Sequence, residues 1–513
     1  MSLAADAANL SKPGSRSVLG ALAVLLMAAF TIGTNSAQAA PWAEVGDRSL
    51  RNDIEILHAR GLVSGPITTW PIPIGFFSAL RDAQSLVGQP EYVQMAAQRV
   101  LARLDTHNDD GKPLHAAGAF RLSSEPNLIR DFGNNARDEA DVRVGVDYEN
   151  DRFTANLRVG ALSNIDGDGY RFALDGSYVT ALLGNWQTYG GWVEKWYGPG
   201  HTSSLILSNN ARPYPKIGIT RNSPEAFETK WLSWLGPWQL DFNVGLLEED
   251  ARVERNTGLG SLRFTFVPVK GLEIGITRSV QFCGGGNNCN PLEAAFAINN
   301  TNSDRNNSND QASIELTYVH DFNVVSFSPY VQFLNDDTGP FTHSYTSYLT
   351  GLHWTGPWET NGAQWSLTAE YTDSRATLDW FTFGKRLPGF AYNNDEYVDG
   401  FRYRGRTLGF SLDSDSTLFS LVGGLTDSAG RHYRLAWYNA HISTTELAAI
   451  QAEGGFRRNT VSAQPVTVDQ IEGGISLPWR NFLFDLSVRW QDEQPFPDRD
   501  SAFNVEAGVQ FRF

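Results

Sequence analysis

Residues 481–490 read NFLFDLSVRW, which places Phe482, Phe484, Leu486, Val488 and Trp490 on one side of an extended chain and Asp485, Ser487 and Arg489 on the other. Side chains alternate across a strand, so the run predicts a β-strand with one apolar and one polar face. The segment FNVEAGVQFRF at 503–513 repeats the pattern, with Phe503, Val505, Ala507, Val509, Phe511 and Phe513 opposite Asn504, Glu506, Gly508, Gln510 and Arg512. The same period of two runs through WQLDFNVGLLE at 238–248 and SIELTYV at 313–319. It holds from about residue 139 onward.

Such alternation suits either a soluble sandwich with its apolar face inward or a membrane barrel with that face outward. The barrel is favoured on several counts. About sixteen to eighteen segments of about ten residues each can be marked off, the length that crosses a bilayer at a tilt. Tight turns such as DYENDRF and PWRNF contrast with long polar loops such as INNTNSDRNNSNDQ. Trp354, Trp358, Trp479 and Trp490 lie near strand ends, as interfacial girdles do. Phe513, at the end of an alternating strand, is similar to the last residue of bacterial outer-membrane barrels. The predicted class is therefore all-β: a large transmembrane antiparallel β-barrel with a small N-terminal periplasmic α-helical domain.

Composition agrees. Aromatic residues make up 12% of the 513, yet mean hydropathy is -0.30. A barrel reconciles the two, because only half of each strand meets lipid and the rest meets a polar lumen. Beyond the N-terminus no apolar run approaches the roughly 18 residues of a spanning helix. With 41 basic and 57 acidic residues the net charge is -16, which argues against a nucleic-acid partner, since phosphate neutralisation needs a basic surface.

Residues 1–39 have the order of a secretory signal peptide: Lys12 and Arg16, the apolar stretch VLGALAVLLMAAFTI, then Ala37-Gln38-Ala39. Export to an oxidising compartment predicts a local disulfide between Cys283 and Cys289 in CGGGNNC. That segment offers too few ligands for zinc, and no metal or cofactor is expected.

Residues 40–108 have a helical texture instead. Leu50, Ile54 and Leu57 recur at intervals of four and three, Asp47 can cap the segment and Gly61 can end it. A second helical pattern in EYVQMAAQRVLARL sets Val93, Ala97, Val100, Leu101 and Leu104 on one side, and FFSALRDAQ carries a third. The expected organisation is a signal peptide at 1–39, a periplasmic helical domain at 40–125 and the barrel at 126–513.

Residues 185–238 hold six Trp, namely Trp186, Trp192, Trp196, Trp231, Trp234 and Trp238, interleaved with basic residues. Aromatic faces stack on the CH faces of pyranose rings, and guanidinium forks clamp carboxylates. Trp192, Lys195, Trp196, Tyr197, Arg212, Tyr214 and Arg221 are therefore candidate glycan contacts. Girdle positions and lumen ion pairing are the plainer roles for any one of them. Gly198, Pro199 and Gly200, followed by NNARPYP, interrupt pairing and predict a loop folded inward. Arg402, Arg404 and Arg406 occupy alternate positions, hence one strand face, and join the candidates; Asp413 and Asp415 are their internal partners in the safer reading. No G-x-S-x-G, H-E-x-x-H or P-loop is present, and His201 near Ser203 is a weak nucleophile-and-base pairing. DGDG at 166–169 reads as a turn. The chain is read as a non-enzyme.

GGWVEKWYGPG, SLILSNNARPYP, GLEIGITRSVQF and FRYRGRTLGFSLDSDS, together with LRNDIEILHARGLVSGPITTWPIP in the head, resemble the capsule assembly Wzi family of outer-membrane proteins. The resemblance covers nearly the whole chain after residue 39. It implies an eighteen-stranded barrel with a periplasmic helical bundle, acting as a lectin that attaches or organises capsular polysaccharide or another exopolysaccharide at the surface of a Gram-negative cell. Its expected partners are that polysaccharide, outer-membrane lipid and the polysaccharide export machinery. The alternatives are a porin-like diffusion channel for small solutes and an outer-membrane hydrolase built on Ser203.

Overall fold

The computed structural model describes residues 41–104, 113–150, 152–163, 171–248, 251–287, 289, 308–336, 345–359, 361–377, 386–495 and 502–513. The expected signal peptide, the DGDG turn and most of the loop from 298 lie outside them.

Eighteen antiparallel strands close into one barrel. In chain order β1 is Leu114–Ser123, β2 Ala140–Glu149, β3 Phe153–Leu162, and β4 comprises Phe172–Ala173 and Tyr178–Leu183. Strands β5 to β9 are Trp186–Gly191, Lys216–Arg221, Trp238–Leu247, Thr257–Val269 and Leu272–Phe282. Then β10 joins Asn309–Tyr318 with His320–Asp321, followed by β11 Ser326–Asp336, β12 Thr346–Trp358 and β13 Ala363–Thr377. The last five, β14 to β18, are Thr417–Thr426, His432–Ile442, Val466–Trp479, Phe482–Gln491 and Phe503–Arg512. Closure comes from β18 pairing with β1, as in Ala507 opposite Leu122.

The polarity of the wall identifies its solvent. On β17, Val488 is 46% exposed while the next residue, Arg489, is 3% exposed. On β7 the buried set is Gln239, Asp241 and Asn243, with Leu240, Phe242 and Val244 on the outside. A soluble sandwich would bury the other face; an apolar exterior over a polar interior is the arrangement a bilayer demands. The aromatic cluster of Trp479, Phe482, Phe484, Phe511 and Phe513 marks one rim.

Most connections at that rim are short, such as 184–185, 270–271 and 480–481, the exception being 222–237, whereas those at the other end are long. In outer-membrane barrels the short turns face the periplasm. The helical head lies at this end. Helix α1, Arg48–Ala59, is capped by Asp47, whose carboxylate accepts from the Leu50 amide at 3.0 Å, and Gly61 follows with φ 73°. Leu50, Ile54 and Leu57 are buried against helix α2, Glu91–Leu104, through Val93, Ala97 and Val100; Leu101 is only partly covered. FFSALRDAQ forms tight 3-10 turns over Ile74–Arg81 and Ala83–Leu86.

One boundary is corrected. The barrel begins at Leu114, before the expected 126, because LHAAGAFRLS is β1. Its small residues soften the alternation that would have revealed it. Cys283 and Cys289 are disulfide-bonded in the loop after β9, with Cα atoms 4.4 Å apart.

Candidate functional site

The bore is filled from three directions. The head enters from the periplasmic end, and residues 192–215 and 387–416 are long connections folded into the lumen. Trp196 and Tyr197 form a two-residue ladder with Trp70 and Thr69 of the head. Arg51 of α1 donates to the carbonyls of Pro199 and Gly200 at 2.6 and 2.8 Å. Gly198 has φ 139°, and a Cβ there would lie 2.7 Å from the Gln332 side chain, so the inward loop requires glycine. A cavity of about 920 Å³ remains at the periplasmic end, between the head, β1–β3 and β16–β18.

This packing places the candidate glycan residues. Lys195 is buried with its ammonium 2.6 Å from Asp241, which also accepts from Tyr189 at 3.0 Å and Tyr197 at 2.7 Å. Burial lowers the Lys195 pKa, and Asp241 opposes that shift. Trp196 is fully buried against Phe132 and donates to the Gly200 carbonyl at 3.0 Å. Arg212 is clamped between Asp138 and Asp175, the latter at 2.6 Å. Tyr214 is buried beneath the Lys216 ammonium, 4.0 Å from its ring. Arg221 stacks on Trp238 at 3.8 Å and donates to the Glu225 and Trp238 carbonyls. Trp192 is half-buried, its backbone paired with Gly176 and Ser177. Lys195, Trp196, Tyr197, Arg212 and Tyr214 build the plug, with their polar atoms turned to internal partners, whereas Arg221 lies on the outward side of β6 against Trp238.

The arginine cluster is corrected. Arg402, Arg404 and Arg406 do not share a strand face, because Arg404 and Gly405 turn a hairpin at φ 50° and 73° between Arg402–Tyr403 and Arg406–Thr407. Arg402 is buried and bidentate to Asp413 at 2.6 and 2.9 Å. Burial alone would raise the Asp413 pKa; Arg402 and Thr460 hold it below the usual carboxylate range. Arg404, over the Tyr403 ring at 5.1 Å, and Arg406 are half-exposed at the outer end. Asp415 serves other groups, accepting from the Gly389 amide and the Thr444 hydroxyl.

The Ser203 and His201 pairing is also corrected. The Ser203 hydroxyl is buried and makes no hydrogen bond among the described residues. The His201 ring faces Glu55 of α1 at 3.4 Å and stacks on His353 of β12 at 4.2 Å, while His353 lies 3.1 Å from the same carboxylate. Glu55, His201 and His353 form a donor set that could hold a metal ion. Their rings, however, are within 23° of parallel, so both Nε2 lone pairs cannot address one ion unless a ring turns. Arg51 adds a cation 2.9 Å from Glu55. The cluster acts chemically as an ionic junction between head, inward loop and wall.

At the outer rim the chemistry differs. Arg457 lies between the Phe390 and Phe456 rings, at 5.7 and 5.6 Å, and Tyr345 stacks on Phe390 at 4.2 Å. Arg458, half-exposed, pairs with Asp399 at 3.2 Å. Arg375 and Arg386 flank Asp373 at 2.8 and 3.0 Å. Guanidinium forks beside accessible aromatic faces can hold carboxylated sugars. Sequence reasoning missed Phe456, Arg457 and Arg458; the available signal was FRRN directly after a Gly-Gly turn.

A family profile described as capsule assembly protein Wzi matches residues 109–423. The chain is 28% identical over 341 residues to an uncharacterized 55.8 kDa protein in the cps region of Klebsiella pneumoniae, covering 64% of this chain and 65% of that one. It thus spans just under two thirds of that relative's length. The barrel also superposes, with a TM-score of 0.77 and 22% identity, on the solved structure of Wzi from Escherichia coli, covering 92% of this chain and 100% of that one. That protein is described as an outer-membrane protein involved in group 1 capsule assembly and a carbohydrate-binding β-barrel.

Proposed function

The chain belongs to the capsule assembly Wzi family, and from that premise we propose that this outer-membrane barrel is a non-enzymatic lectin that binds a surface polysaccharide through its outer rim. The carrying observation is the division of labour among the basic and aromatic side chains. Those in the lumen are buried against internal partners, whereas at the long-loop end Arg457, which donates to the Pro388 carbonyl at 3.2 Å, lies half-exposed between the half-exposed Phe390 and the exposed Phe456. Stacking would hold the sugar rings, and the arginine forks favour a polymer bearing carboxylates. The filled bore speaks against the diffusion-channel alternative. The head, at the periplasmic end, is the surface that a polysaccharide export assembly would meet.

Loss of the protein should leave polymer synthesis intact and shift polymer from the cells into the medium. Purified barrel in detergent should also retain the host's own surface polymer in a pull-down. Unchanged cell-bound polymer together with an empty pull-down would overturn the reading.

A further inference from the structure

One periplasmic connection breaks the short-turn rule. Residues 222–237, between β6 and β7, run NSPEAFETKWLSWLGP at an end where other connections are as short as two residues. The segment folds outward. On β8, Arg263 and Thr265 face inward to Thr69, so Phe264 and Phe266 face out. Trp234 of the connection covers Phe266 edge-on at 6.2 Å, and Phe227 stacks on the outward Trp238 at 4.4 Å. Leu235, Trp238 and Phe266 are consequently buried on the lipid side of the wall.

Covering that wall leaves Trp231 89% and Trp234 61% exposed, with Leu232 beside them. We propose that this connection is a membrane anchor, which inserts Trp231 and Leu232 at the headgroup boundary of the periplasmic leaflet and takes glycerophospholipid as its partner. Three observations support it. The segment lies against the lipid-facing strands at the level of the periplasmic aromatic rim. Its exposed tip carries tryptophans, whose amphipathic rings favour this boundary. The polar residues alongside, Glu225, Glu228 and Lys230, are exposed and of mixed sign, so binding rests on the apolar tip and not on anionic charge. The anchor also touches the head: Pro224 and Asn222 lie where a Cβ on Gly65 or Gly75 would fall, at 2.3 and 2.4 Å. It therefore couples the head to the leaflet beside it. The inference is independent of glycan binding and rests only on the barrel and its orientation.

The test uses the full chain, whose two native cysteines are paired, reconstituted into vesicles of phosphatidylethanolamine and phosphatidylglycerol. Nitroxide labels are placed in turn at Trp231→Cys, Leu232→Cys and, as a water-exposed reference on the head, Ala83→Cys. Collision rates are read with lipid-soluble oxygen and a water-soluble nickel chelate. The oxygen-to-nickel ratio should be several-fold higher at 231 and 232 than at 83, and unchanged by salt. Ratios at both sites equal to that at 83 overturn the proposal. So does a 231 site that is shielded from both reagents, which would mean a protein partner or internal packing. Brominated lipid should also quench the fluorescence of the wild type more than that of Trp231→Phe; equal quenching counts against insertion.

Discussion

The Lys195 ammonium and the Asp241 carboxylate meet at 2.6 Å inside the barrel, each almost wholly buried. The pair ties the inward loop to β7. Removing one partner strands a buried charge, whereas removing both need not destabilise.

Asp241→Ala should therefore destabilise the folded barrel by about 3–5 kcal/mol, read as a lower midpoint of heat- or urea-induced unfolding. Lys195→Met combined with Asp241→Asn should recover most of the loss. If Lys195 were a glycan contact instead, Lys195→Met would weaken polymer binding in protein of normal stability.

At the rim the signature reverses. Replacing Phe456 and Arg457 together by Ala should weaken polymer retention about tenfold, equivalent to roughly 1.4 kcal/mol. The unfolding midpoint should barely move, because surface substitutions away from buried networks cost little. Polymer binding and cell-bound polymer at wild-type levels would refute the assignment.

Acidification should loosen the head. Burial pushes the His58 and His201 imidazoles below their ordinary pKa. His201 faces Arg51 and Glu55 from α1, His353 from β12, Tyr330 from β11 and Asp131 from the segment after β1, and its amide donates to Glu370 of β13. Below about pH 6.5 the unfolded chain binds more protons than the folded one, so stability is complete above that pH and falls beneath it. Glu55 is buried, but His201, Arg51 and His353 hold its carboxyl below the usual range, and its contribution is lost further down, below about pH 4.3. Hydrogen-exchange protection factors in α1, corrected for the intrinsic rate at each pH, should fall between neutral pH and about pH 5, and fall less in His201→Gln. A flat profile would exclude the imidazoles as the cause.

In a planar bilayer the wild type should give no stable open-channel current. The lumen at mid-height is occupied by Trp196, Tyr197 and the Arg51 contacts to Pro199 and Gly200. Sustained conductance would mean the plug leaves the bore.

Much of the barrel could be read from residue order because the period of two is local: NFLFDLSVRW declares its faces without reference to any other strand. The first helix was equally legible from Asp47, Leu50, Ile54 and Leu57. Strand β1 escaped because alanine and glycine contribute little contrast between faces. The site was less legible for a different reason. Whether Lys195 or Arg402 meets a sugar or a carboxylate depends on Asp241, 46 residues away in the chain, or Asp413 across a hairpin, and only closure of the cylinder decides such pairings. Phe390, Phe456 and Arg457 converge from two different loops, a juxtaposition that no spacing rule encodes.

A bore stopped from both sides offers no passage to a polymer. If the molecule holds polysaccharide, it takes hold of chains that reach the exterior by another route. Its copy number can then vary independently of the exit it serves, and shortage would show as poorly retained strands and not as a blockage of secretion.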